Sequence, residues 1–202
     1  KIPIVCGGTG FYINTILGDV SIPNVPANKK LRALLSKKSN DELVAILTLL
    51  DRVRAKTIDK QNPVRLIRAI EIASALGRVP QVEKSKSKFD VLKIGVKIPR
   101  NILKRKIADR LHARLKAGMI TEAKRLHAQG LSFKRMDELG LEYRYLARYL
   151  QNKIMKKEMV KKLNTEIWRY AKRQMTWFKR DKKTIWVSRY SQVEKPVKKF
   201  LA

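Results

Sequence analysis

A long segment near the C-terminal end constrains the fold of this chain most strongly. Lys156–Arg180 contains no glycine or proline, and its apolar residues recur every three or four positions. This spacing predicts one amphipathic helix that turns an apolar stripe toward a core. The stripe consists of Met159, Leu163, Ile167, Ala171, Met175 and Phe178. The C-terminal region is therefore predicted to be mainly helical.

The other faces of this predicted helix carry cations and neutral polar side chains. They include Lys162, Arg169, Lys172, Arg173, Gln174, Thr176, Lys179 and Arg180. Trp168 and Trp177 are half a turn out of phase, so we expect one ring to pack inward and the other to face a partner. Cations beside an exposed indole suit RNA, which offers both phosphates and bases. A solvated basic helix on a globular domain is the alternative interpretation.

Composition narrows the classes of partner. The 202 residues include 47 Lys+Arg against 17 Asp+Glu, a formal net charge of +30. Acidic partners are expected, with nucleic acid and phosphorylated ligands ahead of membrane lipids. The single cysteine, Cys6, excludes an internal disulfide and fits a reducing cytoplasm, and we expect it to be buried. No apolar run has membrane-spanning length. His112 and His127 lack metal-ligand spacing.

The first residues predict a strand, a glycine turn and a helix. Ile2–Cys6 is a continuous apolar run, typical of a parallel sheet covered on both faces. Gly7–Gly10 follows, and a helix N-terminus after such a turn favours anions. Thr9 could donate its hydroxyl there, although a plain tight turn explains the same residues. Because the chain begins inside this predicted strand without an initiator Met, we expect it to be a C-terminal fragment.

The middle of the chain predicts a helical insertion, and three domain segments follow from it. Residues 1–26 are predicted to form a core strand, turn and helix, residues 27–88 the insertion, and residues 89–202 the return to the core. The insertion is predicted to contain helices at Lys29–Lys37, after a Ser39–Glu42 capping box, and from Asn62-Pro63 to Gly77. The polar stretch Lys84–Lys88 is expected to be an exposed boundary loop.

The last of these helices carries two arginines that have two possible interpretations. Its expected core face is Ile67, Ile70 and Leu76. Arg65 and Arg68 are three positions apart, so they share a face and could bind successive phosphates. The spacing is equally compatible with two surface arginines near Glu71.

The return to the core alternates strands and helices. Strands are predicted at Leu92–Ile98 and Thr184–Ser188, and helices over Asn101–Leu115, Met119–Gln129 and from Leu139 to about Leu150. The first of these helices places Lys106 and Arg110 on one face. In the last, three tyrosines interleave with two arginines, a mixture that suits unstacked bases. Tyrosines at this spacing also serve ordinary packing, and we expect at least one of them to do so.

Four motifs follow one another along the chain: IVCGGTGFY, NPVRLIRAIEI, LGLEYR and YAKRQMTWFKR. Together they resemble the tRNA dimethylallyltransferase (isopentenyltransferase) family, from Ile2 to about Ser188. The resemblance implies an α/β fold with a partial P-loop NTPase-like core, a parallel sheet and a helical insertion domain. It implies transfer of a dimethylallyl group from dimethylallyl diphosphate to the exocyclic amine of the adenosine on the 3′ side of the tRNA anticodon. Mg²⁺ is the implied cofactor.

The resemblance also implies roles for individual residues. Thr9 is the catalytic candidate, placed near the reacting adenosine. Lys106 and Arg110 match two family arginines that bind the diphosphate, and lysine at 106 keeps the charge but loses the bidentate fork. The implied tRNA-binding residues are Arg32, Arg65, Arg68, Tyr143, Arg144, Lys172, Arg173, Gln174, Thr176 and Trp177. The expected partners are the anticodon stem-loop and dimethylallyl diphosphate, bound by a cytoplasmic monomer.

The chain also departs from the family pattern. Ile167-Trp168 stands where many members have Thr-Arg, and Leu141-Glu142 where many have Val-Gly. The P-loop motif Gly-x-x-x-x-Gly-Lys-Ser/Thr does not occur in the 202 residues, nor does the Asp-Ser-x-Gln segment whose aspartate is the family's general base. We therefore expect this chain alone not to catalyse and the Mg²⁺ ligands to lie outside it. A non-catalytic RNA-binding protein of the same fold is the alternative.

Overall fold

The computed structural model of the chain describes residues 2–18, 22–80 and 89–202. They belong to two compact units: a middle unit, residues 11–90, and a terminal unit, residues 1–10 with 91–202. The predicted loop Lys84–Lys88, and with it the predicted end of the insertion, lies outside the described residues. None of the helices in the described ranges combines the length and apolar character that crossing a membrane requires.

The middle unit is helical in its described part. Its helices are α1 Gly10–Ile16, which begins at the last residue of the terminal unit, α2 Lys29–Leu35, α3 Asn40–Leu50, α4 Arg52–Thr57 and α5 Pro63–Leu76. The predicted Ser39–Glu42 capping box is confirmed, with both reciprocal hydrogen bonds formed. Asn62 caps α5, and Gly77 ends it at a φ of 79°, a conformation that favours glycine.

One hydrophobic cluster joins four of these helices. Its buried members are Leu35, Leu43, Leu47, Ala55, Ile58, Leu66, Ala69, Ile70 and Ala73. The predicted core face of α5 is confirmed at Ile70 and is partly buried at Ile67. The prediction for Leu76 is wrong: its side chain is 50% exposed, because the helix ends there.

The terminal unit pairs two short parallel strands with a larger set of helices. Its elements are β1 Ile94–Val96, α6 Arg100–Lys116, α7 Met119–Ala128, α8 Phe133–Leu139, α9 Leu141–Leu150, α10 Lys156–Phe178, β2 Ile185–Val187 and α11 Ser191–Leu201. The long helix is thus confirmed. The predicted strands are present but shorter, and α8 and α11 fall where no helix was predicted.

The small sheet joins the segment that precedes α6 to the segment that follows α10, because β1 pairs with β2. Gly95 of β1 lies opposite Trp186 of β2, and a Cβ on that glycine would approach the indole ring to 2.7 Å. The Lys93 ammonium donates to the Asp181 carboxylate at 2.8 Å beside the strands. This hydrogen bond holds the pKa of Asp181 below its usual value.

The predicted N-terminal strand is not formed. Residues 2–7 have no regular secondary structure and are exposed, Cys6 included, so the expectation that Cys6 is buried is wrong. A strand needs a hydrogen-bonded neighbour, and within the described ranges only β1 and β2 pair. The mixed α/β character of the chain therefore rests on the β1–β2 pair.

A second hydrophobic cluster supports α10. Met159 and Leu163 of the predicted stripe are fully buried, and Ile167 packs against them from one turn further along. The cluster also contains Leu111, Met119, Ala123, Met136, Leu146 and Ala147. Because α6, α7, α8 and α9 all contribute, the N-terminal half of α10 is held firmly and its C-terminal half presents its polar faces.

Candidate functional site

The glycine turn packs directly on the C-terminal half of α10. Nε2 of Gln174 donates to the carbonyl oxygen of Gly8 at 2.9 Å. Gly10 is buried against Trp177, and a Cβ at Gly10 would lie 2.0 Å from Cδ1 of that indole. Two contacts thus flank Thr9, whose side chain is exposed. The structure therefore brings Thr9 beside Gln174 and Trp177, which lie far away in the sequence.

A cationic groove runs along the same stretch of α10. It has a volume of about 580 Å³ and is lined by Arg169, Lys172, Arg173, Thr176, Trp177 and Arg180. The Arg180 guanidinium lies 5.7 Å from the Trp177 ring centroid, and the Arg173 guanidinium 5.8 Å from that of Tyr170. Cation–π contacts of this kind keep an arginine extended over a ring while its N–H groups stay available to an anion. Four of the predicted tRNA-binding residues line this groove.

The two tryptophans have different surroundings, and neither is buried in the core. Trp177 is 38% exposed and borders the groove. Trp168 is half-buried, and the ammonium groups of Lys104 and Lys172 lie over its ring. The Trp168 ring therefore lies beneath two cations.

Lys106 and Arg110 lie on α6 and are not among the residues that line the groove. Both side chains are exposed, and within the described ranges neither forms an ion pair. No described contact joins them to the turn that carries Thr9. The structure thus leaves two cations one helical turn apart with their charge available to an anion.

Tyr143 and Arg144 are engaged within the protein. The Tyr143 hydroxyl donates to Glu122 at 2.8 Å, and this hydrogen bond raises the pKa of the tyrosine. Nε of Arg144 lies 3.2 Å from the carbonyl oxygen of Asp137. All three tyrosines of α9 pack on the second hydrophobic cluster, so the packing interpretation holds for each of them.

In the middle unit, Arg32 and Arg68 bind one buried carboxylate. Glu71 is 2% exposed. Its Oε1 accepts from the backbone N–H of Asn28 at 2.6 Å and from Nε of Arg32 at 2.9 Å. Its Oε2 accepts from Nη2 of Arg32 at 2.7 Å and from Nη1 of Arg68. Nη2 of Arg68 also donates to the carbonyl of Val25. We call this arrangement the Glu71 clamp.

The clamp sets the electrostatics of its members. The bond from Arg32, with those from Arg68 and Asn28, lowers the pKa of Glu71 to about 2 against the opposing effect of burial. Arg65 does not belong to the clamp. Its exposed guanidinium lies 3.4 Å from Asp59. Arg65 and Arg68, which their spacing predicts to share one face of α5, therefore have separate acidic partners.

The described residues offer no ready site for Mg²⁺. In residues 2–18, 22–80 and 89–202, no three His, Cys, Asp or Glu side chains are grouped as ligands of a metal ion. The carboxylates nearest the groove are already paired; Glu166, for example, accepts from Arg169 at 2.5 Å. The donor set of a magnesium site therefore does not fit these residues by themselves.

Three residues with evident structural consequences escaped the sequence interpretation. Lys104 was not singled out because its contact with Trp168 joins two helices far apart in the chain. Glu71 was noted only as a neighbour, although an acid between Ile70 and Ile72 on a helix is a detectable signal of a buried partner. Gly10 gains its importance only from the indole packed on it.

Comparisons with known proteins agree with one another. The sequence profile of the IPP transferase family matches residues 1–181. The chain is 39% identical over 180 residues to tRNA dimethylallyltransferase 2 of Trichlorobacter lovleyi, covering 89% of this chain and 59% of the relative. It is 41% identical over 180 residues to tRNA dimethylallyltransferase 1 of Syntrophus aciditrophicus, with the same shares. The chain thus spans about three fifths of the length of these curated relatives.

Solved structures give the same fold. A tRNA delta(2)-isopentenylpyrophosphate transferase from Staphylococcus epidermidis superposes with a TM-score of 0.57 at 29% identity, covering 93% of this chain and 64% of the other. The full-length tRNA isopentenylpyrophosphate transferase from Bacillus halodurans gives a TM-score of 0.58 at 24% identity, covering 96% and 62%. With the family profile matching most of its length, the chain belongs to the IPP transferase family.

Proposed function

We propose that the protein carrying this chain transfers a dimethylallyl group from dimethylallyl diphosphate to tRNA. The acceptor is the exocyclic amine of the adenosine 3′ to the anticodon. The observation that carries the proposal is the glycine turn seated on the cationic face of α10, through the bond from Gln174 to Gly8. This contact brings the hydroxyl of Thr9 close to a groove whose charged lining is three arginines and one lysine.

The reaction suits these residue types. The adenine amine attacks the first carbon of the dimethylallyl group, the carbon–oxygen bond to the diphosphate breaks, and its electron pair leaves with the diphosphate. The amine then gives up a proton to a base that this chain does not supply. Cations that meet the leaving group lower the cost of the negative charge it gains. We assign that role to Lys106 and Arg110, which are exposed and lack an ion pair among the described residues.

RNA binding is assigned chiefly to the groove. The affinity of a protein for RNA increases with the number of phosphates that its cations neutralise. A base can in addition stack on an exposed aromatic ring. Lys172, Arg173, Thr176 and Trp177 supply these groups side by side. Gln174 holds the turn instead of facing the groove, and we assign to Thr9 the contact with a base taken out of the RNA stack.

Other parts of the proposal extend beyond this chain. Mg²⁺ would assist departure of the diphosphate, with ligands other than the described residues of this chain. We further propose a cytoplasmic protein that acts as a monomer on the anticodon stem-loop. The strong positive charge supports binding to this polyanion.

The test is prenyl transfer from labelled dimethylallyl diphosphate to an anticodon stem-loop. The complete gene product that contains this chain and the 202-residue chain itself are assayed side by side. Label in the RNA with the complete product only is the expected result. If neither transfers label but both bind the stem-loop, the non-catalytic RNA-binding protein is the correct description.

A further inference from the structure

Two ammonium groups from different helices lie over a single indole ring. Nζ of Lys104, on α6, is 5.3 Å from the ring centroid of Trp168. Nζ of Lys172, on α10, is 5.9 Å from the same centroid. Trp168 is half-buried, whereas both lysines are exposed. The ring thus anchors two cations at the surface where α6 and α10 pack.

No acidic side chain among the described residues neutralises this pair. The acids of α10 are committed elsewhere: Glu158 pairs with Lys162, and Glu166 pairs with Arg169. In the described part of the chain, neither Lys104 nor Lys172 forms an ion pair. Two ammonium groups on one ring repel each other, and the attraction of each to the ring quadrupole offsets only part of this repulsion. The two positive charges are therefore available to an anionic ligand.

The chemistry of a suitable anion follows from the residues around the two lysines. Lys172 also lines the cationic groove, so the Trp168 ring extends that groove toward α6. Lysine ammonium groups bind phosphate as point charges, and two of them can meet oxygens of one phosphate. Attraction to the indole restricts both side chains before the anion arrives, which reduces the entropy lost on binding.

We propose that Lys104, Trp168 and Lys172 form a phosphate-binding subsite, with Trp168 as the residue that positions the two lysines. The inference rests on the proposed function, because it takes the phosphate from a substrate of that reaction. Either the RNA backbone or the diphosphate of the prenyl donor offers the required group. Its position beside the groove favours the RNA backbone.

The experiment measures the salt dependence of anticodon stem-loop binding by the complete gene product. Lys104→Ala and Lys172→Ala should each flatten the plot of log K against log salt concentration by about 1. Trp168→Leu keeps the net charge yet should flatten the slope as well, because the lysines lose their anchor. Trp168→Phe should retain most of the slope of the unmodified protein, because the phenyl ring can still attract both ammonium groups. Lys116→Ala on α6 and Lys161→Ala on α10 are matched controls, exposed lysines that have no ring contact or ion pair in the described ranges.

A parallel titration with inorganic pyrophosphate separates the two sources of phosphate. Loss of pyrophosphate binding with an unchanged RNA slope assigns the subsite to the diphosphate of the donor. If the three subsite variants match the two controls in both titrations, the subsite does not exist, although the proposed function stands. If the unmodified protein binds no stem-loop, the proposed function fails together with the inference. Circular dichroism of each variant verifies that Trp168→Leu and Trp168→Phe remain folded.

Discussion

Replacing Glu71 by glutamine removes the charge from the buried carboxylate of the Glu71 clamp. The amide keeps the volume of the side chain, but its NH2 group must face a guanidinium that also donates. Arg32 and Arg68 would then lose their shared acceptor, and Arg68 is only 32% exposed. Breaking a fully buried ion pair by removing one partner costs about 3–5 kcal/mol, and the 44% exposure of Arg32 places this case at the lower end. The clamp ties residues 25–32 to α5, so the loss falls on the middle unit.

The pKa of Glu71 gives a second value for the stability that the Glu71 charge contributes to the fold. It falls from an ordinary 4.5 to about 2 in the folded chain. At 1.36 kcal/mol for each pKa unit, the shift corresponds to about 3 kcal/mol of stability near neutral pH. Since the folded state binds this proton less readily than the unfolded state, the contribution is complete above pH 4.5. It is lost as the pH falls toward 2.

Urea unfolding followed by far-UV circular dichroism checks both statements. At pH 7, Glu71→Gln should lower the free energy of unfolding by about 3 kcal/mol. The difference from the unmodified chain should narrow as the pH falls from 4.5 to 2. Asp59→Asn, which breaks the exposed pair with Arg65, is the matched control and should cost much less. Amide exchange within α5 gives a local readout. Equal unfolding free energies at pH 7, or a difference that stays constant with pH, would refute the reasoning.

Three further predictions concern the candidate site. Gly10→Ala should displace Trp177, because the new Cβ would lie 2.0 Å from the indole; a shifted tryptophan emission and a loss of about 1–3 kcal/mol in urea unfolding are expected. Arg65→Ala and Arg173→Ala in the complete gene product should each weaken stem-loop binding and flatten its salt dependence; an unchanged slope removes that arginine from the RNA face. Thr9→Ala should slow prenyl transfer with little change in stem-loop affinity, and a large loss of affinity would contradict its placement beside the reacting base.

Local signals in the sequence were sufficient for most helices. The capping box at Ser39, the Asn62-Pro63 start and the Gly77 stop each depend on contacts within a few residues, and each is confirmed. The long amphipathic pattern of α10 was equally clear, since it repeats over many turns. The helix α11 has an apolar face, but Pro196 inside it argued against a helix in the sequence.

Nonlocal pairing was harder to predict. The run Ile2–Cys6 has the composition of a buried strand, yet it is exposed because the described residues give it no neighbouring strand. An apolar pattern specifies which face would be buried and says nothing about whether a partner is present. The contact of Gln174 with Gly8 is of the same kind: the two motifs were visible separately, and only the fold joins them.

The role of a cation depends on which acids the fold leaves beside it. By spacing alone, Arg65 and Arg68 looked equivalent, yet Arg68 is bound to a buried carboxylate and Arg65 to an exposed one. An arginine in the Glu71 clamp could turn to a phosphate only by giving up its charged hydrogen bonds to that buried carboxylate, at a cost comparable to the gain. Arg32 and Arg68 are therefore expected to support RNA binding by holding the middle unit in shape. Direct contact falls more readily to cations that have aromatic neighbours instead of acids, as Lys172 and Arg173 do on α10.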